Sequence, residues 1–299
     1  MGGTRFIGKS LVRALVKKGY EITLFTRGKL PVPDHVEHLK GDRQNDSDLK
    51  SLSRRKFDII IDSSGRTLED TKKVISYTGK PNYRFIYISS AGIYQTSEVL
   101  PIKEDYLIDS KSRHIGKAHT EEWLRKENIP YTIFRPTYIY GPGNYNPIEK
   151  WFFDRITNNQ PVPLPGRGET ITQLGHVEDL TNAIMLSIDS PKAENKIYNC
   201  SGKNGVTFKG LIRNAAIACQ IDPSRVELKS FDPSQLESKA RKAFPLRLEH
   251  FFTDISLLEN DLNWKQKFDL QEGLKDSFKN DYSFEIKEDI DFSNDLNLF

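Results

Sequence analysis

The sequence predicts an α/β protein, a doubly wound parallel sheet carrying a smaller, discontinuous α/β cap domain. A glycine-rich turn, Gly2-Gly3 through Gly8, runs straight into a helical pattern. Apolar strands then alternate with amphipathic helices as far as Pro136, the pattern of a parallel sheet covered by helices. After Arg135 the texture changes to Gly- and Pro-rich stretches, GPGNYNP and PVPLPGRG, and the regular alternation stops.

The elements follow in order. Residues 4–18 place Phe6, Ile7, Leu11, Leu15 and Val16 at helical spacing, and Gly19 ends the run. EITLFT (21–26) and VEHLKGD (36–42) read as strands, and 46–55 reads as a polar helix. FDIIID (57–62) is a continuous apolar strand, the mark of a sheet buried on both faces. Helix 68–77 leads to the strand RFIYISS (84–90), and a turn-rich loop runs on to helix 112–127 and strand YTIFRP (131–136). Further on come a helix near 148–158, a capped helix at 176–189 that packs back on the sheet, the short strand KIYNCS, and helices near 207–219 and 233–242. This divides the chain into a nucleotide-binding domain (1–140 with 176–200), a cap (141–175 with 201–282) and a flexible acidic tail (283–299), with the ligand in the cleft between domain and cap.

Composition narrows the class. Hydrophobic residues make up 37% and charged residues 28%, the balance of a globular chain. No apolar run is long enough to span a membrane and no secretory signal is visible, so a cytoplasmic location, or a plastid stroma, is expected. Cys200 and Cys219 alone make no disulfide framework and too few ligands for a zinc site. The net charge of +3 is uneven: from Asp281 to Phe299 six acids face Lys287 alone, which leaves a basic body of +8. Such a body can meet polyanions, although a solvated surface has the same composition.

Glycines at 2, 3 and 8 let the backbone bend tightly and approach a pyrophosphate, whose charge the following helix N-terminus stabilises, so the turn predicts a Rossmann-type dinucleotide site. The motif departs from the usual form in two ways. Arg5 occupies the middle glycine position, where it crowds the pyrophosphate but can also pair with phosphate. The turn should also follow a buried central strand, so five or six apolar residues are expected ahead of Met1. At the end of the second strand Thr26-Arg27 stands where an NAD site places an acid, which favours NADP(H) over NAD(H).

The turn GGTRFIG, the segment Ser89-Ser90-Ala91-Gly92-Ile93-Tyr94, a helix with Lys117, RPTYIYGPG (135–143), HVEDL (176–180) and LNWKQKFDLQEGL (262–274) together resemble the extended short-chain dehydrogenase/reductase family, the NAD-dependent epimerase/dehydratase group. The resemblance spans nearly the whole chain. It implies cofactor contacts from Gly2, Gly3, Arg5, Phe6, Ile7, Gly8, Thr26, Arg27, Asp42, Ser64, Ser89, Lys117 and Pro136. It also implies a catalytic Ser-Tyr-Lys group, of which Ser90 and Lys117 match the Ser and Lys. Arg113 stands where the Tyr belongs, and a permanently protonated guanidinium cannot act as the acid/base. His114, on the same helix face as Lys117, is the titratable alternative, against the commoner reading of a solvated helix His.

The run SRHIGKAHTEEWL narrows the likeness to the chloroplast stem-loop RNA-binding protein family and its cyanobacterial relatives. That resemblance implies RNA binding and metal-dependent endoribonuclease activity. The alternatives are an active nucleotide-sugar epimerase or reductase with a substitute acid/base, and an assembly protein with a structural dinucleotide. A homo-oligomer is a further expected assembly. Four basic clusters could contact phosphate: Arg54-Arg55-Lys56, Lys72-Lys73, Lys111 with Arg113 and Lys117, and Lys239 with Arg241 and Lys242. Tyr138, Tyr140, Tyr145, Trp151, Phe152 and Phe153 could stack on bases, although such residues on an amphipathic helix more often face a core. Asp42, Asp62, Glu178 and Asp179 are candidate carboxylates, but each has a structural use and none is assigned as a metal ligand.

Overall fold

A computed structural model describes residues 1–53, 55–237, 240–284 and 290–299. Helix α1 (Phe6–Lys17) leaves the glycine turn directly. Strands β1 (Thr23–Thr26) and β2 (Glu37–Lys40) pair in parallel, and the short helix α2 (Asp46–Leu49) follows. Strand β3 (Ile59–Asp62) leads to α3 (Leu68–Thr78), whose start is fixed by a capping box between Thr67 and Asp70. Strand β4 (Arg84–Ile88), helix α4 (Ile115–Lys126) and strand β5 (Tyr131–Pro136) come next; β4 and β5 are buried at every residue.

The chain then leaves the sheet through β6 (Tyr138–Tyr140), α5 (Ile148–Thr157), β7 (Val162–Pro165), β8 (Ile171–Thr172) and β9 (Leu174–His176). It returns through α6 (Val177–Ile188) and β10 (Lys196–Cys200). Strand β11 (Val206–Thr207), helix α7 (Phe208–Ala218), strand β12 (Leu228–Phe231), and helices α8 (Ser256–Leu262) and α9 (Leu270–Asn280) complete it.

Strands β10-β5-β4-β3 form a parallel sheet in that order. Helices α1 and α6 pack together on it: Ser10 donates to Glu178 and Arg13 pairs with Glu178 at 2.5 Å. Arg84, fully buried at the start of β4, is paired with no acid among the described residues; it donates to the carbonyls of Ser187 and Ser190 around the C-terminal end of α6. A second apolar cluster, including Phe152, Phe153, Phe208, Leu211, Phe231 and Leu274, is built mainly from α5, α7, α9, β7 and β12.

The structure corrects several expectations. Of the helix expected over 233–242, the described residues make only short turns at Pro233–Gln235 and Ala240–Ala243, with Asp232 capping the first through Ser234; Ser238 and Lys239 lie outside the described residues. Ile255, Leu258, Leu262 and Trp264, read as cap, pack in the cluster on the sheet. The end of the tail is not loose: Asp295 pairs with Arg155 at 2.5 Å, and Leu298 is buried. Glu285, Lys287, Glu288 and Asp289 lie outside the described residues.

The sheet is also in two pieces. Strands β1 and β3 are not paired with each other, and a groove of about 1010 Å³ separates them. Leu11, Leu15, Ile22, Leu24, Ile59 and Ile61 are among its lining residues. Met1 and Gly2 sit between the strands at one end: the Met1 ammonium donates to Ile61 O at 2.8 Å, Ser63 N to Met1 O at 3.3 Å, and Gly2 N to Phe25 O at 3.4 Å.

Glu149 links α5 to its surroundings. Its Oε1 accepts from Gly141 N at 3.0 Å and from Ser277 Oγ at 3.2 Å, while Oε2 is buried without a partner. Burial, with Asp281 adding, outweighs those hydrogen bonds and pushes the carboxyl up to about 7. The folded state therefore keeps a proton that the unfolded chain releases, and stability contributed by the protonated group is lost as pH rises through 7. Glu149→Gln is expected to remove a loss of about 3 kcal/mol between pH 4.5 and 7. Denaturant melts of parent and variant at both ends of that window check it; parallel profiles would count against a raised Glu149.

Candidate functional site in the cleft

The glycine turn brings Gly2, Gly3 and Gly8 together at the C-terminal edge of the strands, where open α/β sheets bind ligands. Gly2 and Gly3 have φ of 83° and 116°, conformations that a side chain would strain. A Cβ on Gly8 would lie 2.6 Å from the backbone of Gly3, so the helix can approach the turn only because that position is bare. Phe6 enters α1 at φ 35°, a strained conformation for a non-glycine residue. No side chain caps α1 and no acid lies in its first turn, which leaves its positive end free for an anion. Ile7, half-buried, packs at the edge of the sheet-side cluster. Arg5 is exposed, with its guanidinium 5.5 Å from the ring centroid of Tyr145. The turn thus has the backbone that a pyrophosphate needs, with Arg5 beside it.

Ser64 lies beside Gly2, and its Oγ accepts from Arg43 at 3.0 Å. Arg43 also grips Asp62 with both terminal nitrogens; burial opposes ionisation of Asp62, but that guanidinium prevails and holds the carboxyl at about 2. Asp42 is half-buried and accepts from Gln44 N at 3.0 Å. At the end of β1, Thr26 Oγ1 is 2.9 Å from His38 Nε2, and Arg27 is exposed. Lys40 packs against Gly28, where a Cβ would stand 2.9 Å from Lys40 Cδ.

The catalytic positions meet at the ends of β4 and β5. Ser90 accepts from Gly92 N at 3.1 Å. Ser89 Oγ is buried without a partner, and Pro136 closes β5. Lys117 turns its ammonium inward to Ile88 O at 2.5 Å and lies 5.1 Å from the centroid of Tyr87. Burial lowers its pKa to about 8, against the opposing pull of Asp62 and Glu121.

Arg113 is exposed and donates through Nε to His114 Nε2 at 3.0 Å. Burial first, and then the charges of Arg113, Lys117, Arg247 and Arg66, press His114 down to about 4. The imidazole is neutral at pH 7, and its acceptor nitrogen is already engaged by Arg113. Helix α4 begins one residue later, at Ile115, rather than at 112.

Several sequence candidates fall away. Lys117 points inward and does not share an exposed face with Arg113. Arg55 pairs with Glu37, Lys72 with Glu69, Lys73 with Asp46, and Arg241 with Glu249, while Arg54 and Lys239 lie outside the described residues. Tyr140, Phe152 and Phe153 are core residues and Trp151 donates to Ala243 O, so of the aromatic run Tyr145 is the exposed ring. Glu178 is taken by Arg13, and Asp179 accepts from Lys267 N and Phe268 N. Among the described residues no group of three or more His, Cys, Asp and Glu could hold a metal ion. No helix there is long and apolar enough to cross a membrane.

Arg43, Arg66, Arg247 and Lys40 were missed. Each acquires its place through neighbours distant in sequence; only the basic character of Lys40, two residues beyond His38 on β2, offered a local sign.

Fold and turn together define a Rossmann-type α/β protein built on a parallel sheet of four strands. Residues 1–201 match the NAD dependent epimerase/dehydratase family, and the chain belongs to that family. It is 41% identical to the chloroplast stem-loop binding protein of 41 kDa b from Arabidopsis thaliana, across 99% of this chain and 82% of that one. It is 23% identical to UDP-glucose 4-epimerase of Vibrio cholerae, across 92% of each. UDP-glucose 4-epimerase of Thermotoga maritima, solved with UDP-glucose, superposes with a TM-score of 0.73 at 19% identity, covering 93% of this chain and 96% of that one.

Proposed function

We infer that this protein holds a dinucleotide, preferring NADP(H), and binds RNA at a cleft that has given up conventional acid/base catalysis. The observation that carries the reading is Arg113 in the acid/base position, bonded to a His114 that burial keeps neutral at pH 7. Bound dinucleotide would supply hydride chemistry; the chain supplies the bare glycine turn, Lys117 and Ser90 to hold and orient it. The name of the Arabidopsis relative supports the RNA assignment. The two cysteines of the sequence, too few for a disulfide framework, fit a reducing compartment, the cytoplasm or a plastid stroma. The test is stem-loop RNA binding at low and high salt, set beside hydride exchange with a panel of nucleotide sugars.

A second reading, an active epimerase or reductase, is favoured by the retained Ser90 and Lys117. It would need His114 to move protons, and His114 must then release Arg113. Endoribonuclease activity finds no assembled carboxylate set among the described residues.

For the cofactor, the preference for a 2′-phosphate is supported by Arg27, exposed just after β1, and by Lys40, which packs against the neighbouring Gly28. Arg27→Asp is expected to weaken NADP binding roughly 10-fold or more, the worth of a charge-assisted hydrogen bond, and to spare NAD. Fluorescence titration of both dinucleotides checks this; equal affinities in the unaltered protein would refute the preference.

A further inference from the structure

Arg5 stands in the glycine turn at a position that is bare in the usual motif, so its side chain must be kept off the seat of the pyrophosphate. Its backbone is extended, with φ −132° and ψ 147°, and its carbonyl accepts from Lys9 N at 3.1 Å; Arg5 is thus the residue from which α1 starts. The side chain is exposed, and among the described residues no carboxylate and no hydrogen bond engages its guanidinium. What meets it is the ring of Tyr145, whose centroid lies 5.5 Å from the guanidinium carbon.

Tyr145 comes from the loop between β6 and α5, and that loop is tied down on both sides of the ring. Gly141 N donates to Glu149 Oε1 at 3.0 Å, Gly143 N to Asp281 Oδ2 at 2.9 Å, Asn144 Nδ2 to Ile139 O at 3.3 Å and Asn146 N to Asn144 Oδ1 at 3.0 Å. The ring is 65% exposed and, among the described residues, belongs to no apolar cluster, so core packing does not account for an aromatic side chain here. An arginine free in solvent samples many rotamers and must be ordered when a ligand binds it. A guanidinium already resting on a ring has lost that freedom beforehand, and because the contact uses the π system, its N–H donors stay free for phosphate oxygens.

We propose that Tyr145 is a positioning residue for the dinucleotide: its ring holds the Arg5 guanidinium beside the glycine turn, clear of the pyrophosphate's seat and with its donors ready for the pyrophosphate oxygens. The proposal rests on the reading of the turn as a dinucleotide site. Tyr145 acts through Arg5 and not on the cofactor itself. The pair lets this chain carry an arginine where glycine is usual, and it links the loop between β6 and α5 to the occupant of the turn.

The experiment is a double-mutant cycle on the full chain, with NADP and NAD binding measured by calorimetry and melting curves to confirm folding. Both side chains are exposed, so the variants are expected to melt with the parent. Tyr145→Ala is expected to weaken NADP binding roughly 2- to 10-fold, the worth of ordering one rotamer-rich side chain. Tyr145→Phe keeps the ring and is expected to change it less than about twofold. Arg5→Gln is expected to weaken binding roughly 10-fold or more. Once Arg5→Gln is in place, adding Tyr145→Ala is expected to change affinity less than about twofold, because the ring has nothing left to hold. Equal weakening by Tyr145→Ala in the parent and in Arg5→Gln would mean that the two side chains act separately, and overturns the proposal; so does NADP affinity indifferent to Tyr145→Ala. Stem-loop RNA binding that Tyr145→Ala weakens while NADP binding stays unchanged assigns the ring to a base and likewise overturns it. A parent that binds neither NADP nor NAD sinks the reading of the turn itself, an outcome distinct from binding that ignores the pair.

Discussion

The unaltered protein is expected to exchange hydride with nucleotide sugars about 100- to 10 000-fold more slowly than an enzyme with an intact Ser-Tyr-Lys group, the range that positioned general acid/base catalysis contributes. The chain keeps Ser90 and Lys117 but offers Arg113, which cannot release a proton, at the third position. The neighbouring His114 is neutral at pH 7 and could in principle accept one, but its Nε2 holds the Arg113 hydrogen bond. Arg113→Tyr is expected to allow weak cofactor reduction and to lower RNA affinity. Stopped-time assays following dinucleotide absorbance, on parent and variant, read both sides. Turnover in the parent at rates ordinary for the family, unchanged or reduced in Arg113→Tyr, would show that another residue already moves the proton.

Prefixing Met1 with five β-branched apolar residues is expected to raise the melting temperature by on the order of 10 °C. The groove between β1 and β3 is lined by Leu11, Leu15, Ile22, Leu24, Ile59 and Ile61, and Met1 and Gly2 already bond to both neighbouring strands at its end. A segment continuing backwards from Met1 in that register joins the two sheets and buries apolar side chains on both faces. Burying even two such side chains contributes roughly 3–6 kcal/mol, worth about 2 °C or more per kcal/mol in a chain of this size. A prefix of five Ser and Gly residues is the control, since it can occupy the groove without filling it. Equal melting temperatures for the two prefixes would mean that the groove does not accept a strand.

The parallel half of the fold was legible because its signals are local. FDIIID and RFIYISS are apolar at nearly every position, as strands buried on both faces must be, and Gly2, Gly3 and Gly8 announce the turn. Arg84 was not legible as a buried residue: its partners are carbonyls around the end of α6, about a hundred positions away. Asp232 and Pro233 do start a helical turn, as an N-cap and a Pro at the first position should, but the turn stops at Gln235, and nothing local in the sequence marks that stop. The acidic tail was misjudged for a similar reason, since nothing near Asp295 in sequence shows that Arg155 awaits it.

The candidate site divides the same way. Arg113 in place of Tyr is plain from a four-residue spacing to Lys117. That Lys117 turns inward to Ile88 O depends on how β4 and α4 meet, and no local pattern records it. Basic clusters chosen by adjacency, such as Lys72-Lys73, proved to be ion-paired with acids close by in space.

The central claim is that phosphate binding has replaced proton transfer in the cleft, and the salt dependence of stem-loop RNA affinity tests it most directly. Measured between about 50 and about 200 mM salt, log affinity is predicted to fall with a slope of about −2 or steeper, and Arg113→Gln to flatten that slope by about 0.7–0.9, one phosphate contact. RNA binding that is absent, or that does not change with salt, would contradict the account.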